Sequence, residues 1–176
     1  AVIASAVENP LTLADDFVHE FHHNRLFAIE ERGPFFDEQT GRAFTEATHY
    51  SPWRFHMRRL HGVLHALYVF SRVGRYWLHV YQDGEIAREH RDYATDRLLR
   101  IPLQLSQAAH VLAKYASFTS FGQSIFEGIV EELDRLRDDI AATDLPDDAL
   151  ALTFQLDGSY APQLSEIDGR PLSALE

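Results

Sequence analysis

Apolar residues recur at helical spacing along four stretches of this chain. In the first stretch, Leu13, Phe17 and Phe21 lie four residues apart, so they fall on one side of a helix. A Gly-Pro pair and an Asp-Gly pair follow the first two stretches and would end the helices there. The pattern predicts four helices: Leu13–Arg32, Arg58–Gln82, Glu85–Tyr115 with a kink at Pro102, and Thr119–Ala142.

The segments outside these helices are shorter and less regular. Residues 1–9 are apolar and residues 151–156 alternate between apolar and polar, so both favour short strands. Residues 33–54 carry turn-forming residues and predict a loop, and a loop of this length in a compact domain often has a function. We therefore expect the mainly α fold class, a helical domain with minor short strands.

The length and composition fit one folded domain. The 176 residues, 45% of them hydrophobic, can bury a sizeable core, and no internal repeat is evident. We expect residues 1–176 to form a single domain. Because the chain has no initiator Met, we interpret it as a trimmed chain or as the C-terminal part of a longer native chain.

Charge and cysteine content narrow the function classes. The formal net charge is −11, whereas a duplex-binding surface needs cationic groups, so neither nucleic acid nor an anionic membrane is an expected partner. The absence of cysteine excludes disulfides, thiolate metal ligands and cysteine nucleophiles. No apolar run reaches the roughly 20 residues that span a bilayer, and the first residues lack the basic region of a signal peptide. We expect a cytoplasmic location.

The strongest chemical signal is the segment His19-Glu20-Phe21-His22-His23 in the first predicted helix. Positions i and i+4 lie one turn apart on the same side of a helix, so His19 and His23 are placed to share a metal ion. This HExxH pattern is that of zinc peptidases, in which two histidines bind zinc and the glutamate, here Glu20, acts as general base. His22 lies off that side, and we expect it to be solvated or to support a ligand.

A catalytic metal site needs a third protein ligand. Residues 24–28 lack the continuation that metzincins have after this motif. Glu30 lies seven residues past His23, which is about 10 Å along the helix axis. That distance is too great for Glu30 and His23 to bind the same ion, so the third ligand is sought in another helix.

The second predicted helix offers better candidates for the third ligand. His61 and His65 form another i, i+4 pair, and Tyr68 and Arg72 continue the same polar stripe. The rest of this helix is strongly apolar. The stripe faces either a cavity or polar surface of the protein, or solvent. In the first case a metal site lies between two helices.

Three motifs together resemble those of one bacterial family. They are Val18-His-Glu-Phe-His-His-Asn-Arg-Leu26, Tyr50-Ser-Pro-Trp-Arg54 and Arg59-Leu-His-Gly-Val-Leu-His-Ala-Leu-Tyr-Val-Phe70, in the family's order and at its spacing. Over about residues 1–90, the chain is similar to the HExxH-motif proteins found beside ribosomally made, post-translationally modified peptides. The resemblance implies an Fe(II)- and 2-oxoglutarate-dependent dioxygenase. Such an enzyme would use O2 to hydroxylate the β-carbon of a residue in a precursor peptide.

The resemblance also implies which residues bind the metal. It places the third ligand at His65, in the Gly-x-Leu-His element, and leaves His61 at a variable position as the weaker candidate. With His19, His23 and His65 as ligands, the site has three histidines and no carboxylate. Glu20 would then orient a ligand or a water molecule.

The far carboxylate of 2-oxoglutarate needs a cationic partner. Arginine is suited to this role because its planar guanidinium binds a carboxylate through two parallel hydrogen bonds. Arg54 is the first candidate, Arg72 the second and Arg59 the third. Tyr68 is a candidate hydrogen-bond donor to the bound acid, although packing is the commoner role for such an aromatic side chain.

Two other functions stay open on the sequence alone. Neutral imidazoles suit Zn(II) as well as Fe(II), so a zinc metallopeptidase with Glu20 as base is the first alternative. The second is a non-catalytic helical binding module whose histidine pairs are structural. Hydrolysis would shorten a peptide, whereas oxygenation would add an oxygen atom to an intact one.

Overall fold

The computed structural model describes residues 10–37, 49–53, 56–83 and 86–146. The predicted strands at 1–9 and 151–156 and the candidate Arg54 lie outside these ranges. The chain divides into two compact units, Ala1–Thr143 and Asp144–Glu176. The described helices and strands all belong to the first unit: α1 (Pro10–Glu30), β1 (His49–Ser51), β2 (His56–Arg58), α2 (Leu60–Gln82), α3 (Arg88–Tyr115) and α4 (Ser120–Ala141).

The protein is mainly α-helical, as predicted, and each helix lies close to its predicted range. α1 begins at Pro10, earlier than predicted, because proline is favoured in a first turn, where its missing N–H costs no hydrogen bond. α4 follows Thr119, whose side chain accepts a hydrogen bond from the Gly122 amide and caps the helix. α3 continues through Pro102. No helix within the described ranges has both the length and the apolar character needed to cross a membrane.

The segment predicted as a loop contains a strand. β1 and β2 pair antiparallel, with His49 opposite Arg58. The pairing of such short strands depends on the partner across the turn, so periodicity along the chain does not reveal it. Ser51 is fully buried, and Gln104 of α3 donates a hydrogen bond of 3.1 Å to the Pro52 carbonyl. The first strand and its turn therefore lie against α3.

α2 is the central helix of the fold. It packs against α1, α3 and α4, and its buried residues occur on every side from Leu60 to Tyr81. The middle of the polar stripe predicted on α2 faces protein, since His65 and Tyr68 are only 4% and 5% exposed. The ends of the stripe, His61 and Arg72, are partly exposed. The first of the two alternatives therefore holds for the middle of the stripe.

α1 lies antiparallel to α2. Near the start of α1, the Tyr76 hydroxyl donates a hydrogen bond of 2.8 Å to the Leu11 carbonyl. At the other end of α1, the Glu30 carboxylate lies 2.7 Å from Nε2 of His61. These two contacts fix which residues of α1 oppose which residues of α2.

Asp15 joins three helices. Its carboxylate accepts a hydrogen bond of 2.9 Å from the buried Trp77 indole of α2. It also accepts one of 3.1 Å from the Arg97 guanidinium of α3. A charge-assisted hydrogen bond is about twice as strong as a neutral one, so this carboxylate holds α1 firmly in its register.

The segment after α1 is fixed to the start of α4. The Thr119 amide donates a hydrogen bond of 3.0 Å to the Phe35 carbonyl, and the Thr119 hydroxyl donates one of 2.7 Å to the Pro34 carbonyl. The Phe35 carbonyl lies so close to Gly122 that a Cβ built on this glycine would be 1.8 Å from the oxygen. Glycine is therefore required here by a close approach of two backbones.

We expect Gly122→Ala to lower the free energy of unfolding by about 3 kcal/mol, because α4 and the Phe35 backbone would have to move apart. Gly128 on the same helix is the matched control, since a Cβ there meets nothing within 4 Å. Gly128→Ala should raise stability by about 0.5–1 kcal/mol. Urea denaturation measures both changes, and equal effects of the two substitutions would contradict the close contact.

Candidate metal centre

The two histidines of the HExxH segment face each other on α1. Nε2 of His19 and Nε2 of His23 are 3.1 Å apart, and the rings meet edge to face. Two nitrogens that each bond a metal at about 2 Å can be no more than about 4 Å apart. The pair therefore has the spacing of two ligands to one ion.

His65 of α2 lies beside this pair. Its Nδ1 is 3.5 Å from Nδ1 of His23, and the two rings are nearly parallel. His23 thus presents Nε2 to His19 and Nδ1 to His65. Among the described residues, the ligand atoms of His19, His23 and His65 do not all lie within 4.8 Å of one another, so the His23 ring would have to turn for one ion to bind all three.

Glu30 and His61 form the other side of the cluster. The Oε1 atom of Glu30 is 2.7 Å from Nε2 of His61, and its Oε2 atom is 3.5 Å from Nε2 of His65. Within the described part of the chain, Glu30, His61 and His65 form a group that could hold a metal ion, since one ligand atom from each lies within 4.8 Å of the others. A candidate metal site therefore lies between α1 and α2.

The sequence of α1 alone did not predict that Glu30 belongs to this site. Its distance from His23 along α1 excludes a shared ion, but that argument ignores the helix that crosses it. The i, i+4 pair His61 and His65 was the available signal. An antiparallel second helix brings that pair to the end of α1, where Glu30 stands.

The protonation state and burial of His65 suit metal binding. Burial, followed by the neighbouring His61 and His23, lowers the pKa of His65 to about 3. The ring is therefore neutral at pH 7, which is the form that binds metals. Its Nε2 atom is buried and makes no hydrogen bond, although such atoms are nearly always paired. The buried, neutral ring fits a ligand histidine.

Aromatic rings surround the cluster. Phe70 meets His19 edge to face at 5.2 Å between centroids, and Trp53 stacks on Phe70 at 4.6 Å. On the other side, the ring of Phe27 lies 4.7 Å from that of His65. Trp53 of the predicted motif therefore lies near the HExxH pair. Apolar rings beside the histidines strengthen electrostatic interactions there.

Arg72 and Tyr68 make a second polar group farther along α2. The Arg72 guanidinium lies over the Tyr68 ring at 5.5 Å and 3.5 Å from a Glu132 carboxylate oxygen of α4. His22 meets Tyr68 edge to face at 5.9 Å. Burial, then the charges of Arg72 and Arg25, lowers the pKa of His22. His22 is therefore half-buried beside α2 instead of being solvated.

The remaining predicted residues are Arg59, Glu20 and Arg54. Arg59 is exposed at the start of α2, where it occupies the N-cap position. The Glu20 carboxylate makes no hydrogen bond or ion pair with any described residue, while its backbone carbonyl accepts a hydrogen bond from Asn24. Arg54 lies outside the described residues. The roles predicted for these three side chains stay predictions.

The donor set suits several metals. Imidazoles bind zinc, copper, iron and nickel, and two histidines with one carboxylate are the set of non-haem Fe(II) oxygenases. Glu30, His61 and His65 have that composition, whereas His19, His23 and His65 make a three-histidine set. No model of a protein family matches the chain, and no curated protein matches it. The geometry and the motifs therefore carry the functional argument.

We expect acid to destabilise the metal-free protein through His65. Its pKa is about 3 in the folded state and about 6.5 in an unfolded chain, so the unfolded chain binds more protons between these values. Stability contributed by the neutral ring is therefore lost as pH falls below 6.5. The difference in free energy of unfolding between wild type and His65→Gln should change by about 1–2 kcal/mol between pH 7 and pH 5.

Denaturation curves at the two pH values measure this change, and His110→Gln is the matched control. His110 is exposed on α3, so its replacement should leave the difference from wild type unaltered. If the His65→Gln difference were also independent of pH, the argument from burial would be wrong.

Proposed function

We propose that this protein is an iron(II)- and 2-oxoglutarate-dependent oxygenase that hydroxylates the β-carbon of a residue in a ribosomally synthesised precursor peptide. The observation that carries the proposal is the buried, neutral His65 of α2, which lies between the His19–His23 pair and the Glu30 carboxylate. The three-motif resemblance supports the reaction class. The histidine cluster supports a metal centre, and a metal centre is what both the motif and the resemblance require.

In this proposal His19, His23 and His65 hold the iron. Bound iron, with 2-oxoglutarate and O2, supplies the oxidising chemistry that inserts one oxygen atom into a C–H bond while 2-oxoglutarate becomes succinate and CO2. Burial keeps the His65 ring neutral, so its lone pair is available for metal binding at neutral pH. Phe70 packs against His19 and Phe27 packs against His65.

Arg54 is the proposed partner of the far carboxylate of 2-oxoglutarate. Trp53, which precedes Arg54 in the sequence, stacks on Phe70 next to His19. Arg72 already has Glu132 and the Tyr68 ring as partners, which makes it the weaker candidate. Tyr68 is buried between Arg72 and His22 and contributes mainly by packing.

Glu20 has no role as a peptidase base in this proposal, and it orients a ligand or a water molecule at the edge of the site.

The peptide reaches the site past Phe27, which is 51% exposed although its ring contacts His65. An aromatic side chain in this position offers an apolar contact to an incoming peptide side chain. The absence of cysteine supports a cytoplasmic location.

Anaerobic addition of Fe(II) and 2-oxoglutarate tests the reaction class without knowledge of the peptide. We expect a weak visible charge-transfer band that zinc does not give. His19→Ala and His65→Ala should lose the band and the iron, because each removes a ligand, whereas His110→Ala on the exposed side of α3 should keep both. Absorption spectra and iron analysis of folded protein provide the measurement.

Three results would contradict the proposal in different ways. Folded, iron-loaded wild type without the band would exclude binding of 2-oxoglutarate to the iron. Full iron stoichiometry in both His19→Ala and His65→Ala would show that the ligands are wrong. Zinc-dependent shortening of a peptide would instead indicate a peptidase that uses Glu20.

A further inference from the structure

The two nitrogens of His65 face different groups. Nδ1 lies 3.5 Å from Nδ1 of His23, and Nε2 lies 3.5 Å from Oε2 of Glu30, a separation at which it forms no hydrogen bond in the metal-free structure. We propose that Glu30, held in place by His61, is a positioning residue that fixes His65 with its Nε2–H toward the carboxylate and its Nδ1 lone pair toward the metal. This inference rests on the metal ligands of the proposed function and adds two residues that act through one of them.

The chemistry of the two partners decides where the proton of His65 lies. A neutral imidazole has one N–H donor and one lone pair, and an ionised carboxylate only accepts. The nitrogen near Glu30 must therefore carry the proton if the two groups are to attract each other. That leaves Nδ1 as the metal-binding nitrogen, and Nδ1 is the atom on the side of His23.

His61 holds the carboxylate in this position. Its Nε2 is 2.7 Å from Oε1 of Glu30, which is a short hydrogen bond, so the other oxygen, Oε2, is left for His65. Both Glu30 and His61 are partly shielded, with side-chain exposures of 28% and 29%. Metal-binding histidines commonly donate their second N–H to a carboxylate, which fixes the ring and raises its basicity.

A competing arrangement uses Glu30, His61 and His65 as the ligands themselves. In that arrangement, bonds to the ion would replace the hydrogen bond between Glu30 and His61. It also leaves the His19–His23 pair, with its 3.1 Å separation, without a metal to share. The positioning role keeps the Glu30–His61 hydrogen bond and gives the His19–His23 pair an ion to share, with a turn of the His23 ring.

Titration of the full chain with Co(II), followed by visible absorption, separates the two arrangements. If Glu30 positions His65, Glu30→Ala should weaken Co(II) binding by about 10- to 100-fold while one ion per chain and the shape of the spectrum are kept. Glu30→Gln, which retains an oxygen acceptor, should lie between Glu30→Ala and wild type. Glu31→Ala is the matched control, since Glu31 is the exposed neighbour in sequence, and it should bind like wild type.

The location of the proton gives a second readout that a purely structural role would not change. Long-range 1H–15N spectra of the zinc-loaded full chain should show the His65 proton on Nε2 and the metal on Nδ1. Wild type and the control Glu31→Ala should give the same result. Binding of zinc through Nε2 of His65 would overturn the proposal.

The outcomes distinguish failure of this inference from failure of the proposed function. If His19→Ala and His65→Ala lose Co(II) but Glu30→Ala binds as tightly as Glu31→Ala, the metal centre stands and the positioning role is wrong. If Glu30→Ala and His61→Ala lose the ion while His19→Ala keeps it, Glu30 is a ligand and both proposals fall. Circular dichroism of each variant shows whether it is folded.

Discussion

The antiparallel register of α1 on α2 is the constraint on which the site depends. It is set at one end by the Asp15 carboxylate, which accepts hydrogen bonds from Trp77 and Arg97. At the other end, Glu30 reaches the start of α2. Between these ends the His19–His23 pair meets Phe70 and His65. A shift of one helical turn, about 5.4 Å, would separate all of these contacts together.

This register accommodates the polar stripe on one side of the otherwise apolar helix α2. Most of α2 is buried, and a buried polar atom without a partner costs about 1–3 kcal/mol. His65 Nε2 is such an atom in the metal-free structure, because Glu30 Oε2 at 3.5 Å is too far for a hydrogen bond. Local destabilisation of this kind is typical of functional sites.

The sequence predicted the helices well because their apolar residues repeat with the helical period, and it predicted the His19–His23 pairing because one turn of α1 sets it. The inclusion of Glu30 could not be predicted from α1 alone, since it depends on where α2 crosses. The same limit applies to the side that the polar stripe of α2 faces and to the pairing of β1 with β2, both of which depend on distant parts of the chain. The geometry within one helix could therefore be predicted from the sequence, whereas contacts between helices and strands could not be predicted.

The central claim is that one ion is held by His19, His23 and His65. X-ray absorption at the iron edge of the Fe(II)-loaded full chain measures this directly, because scattering from imidazole rings reports how many histidines bind. The account predicts three imidazole ligands in wild type, two or a lost ion in His65→Ala and in His19→Ala, and three in His61→Ala. Loss of an imidazole ligand in His61→Ala with no change in His19→Ala would contradict it and would move the ion to Glu30, His61 and His65.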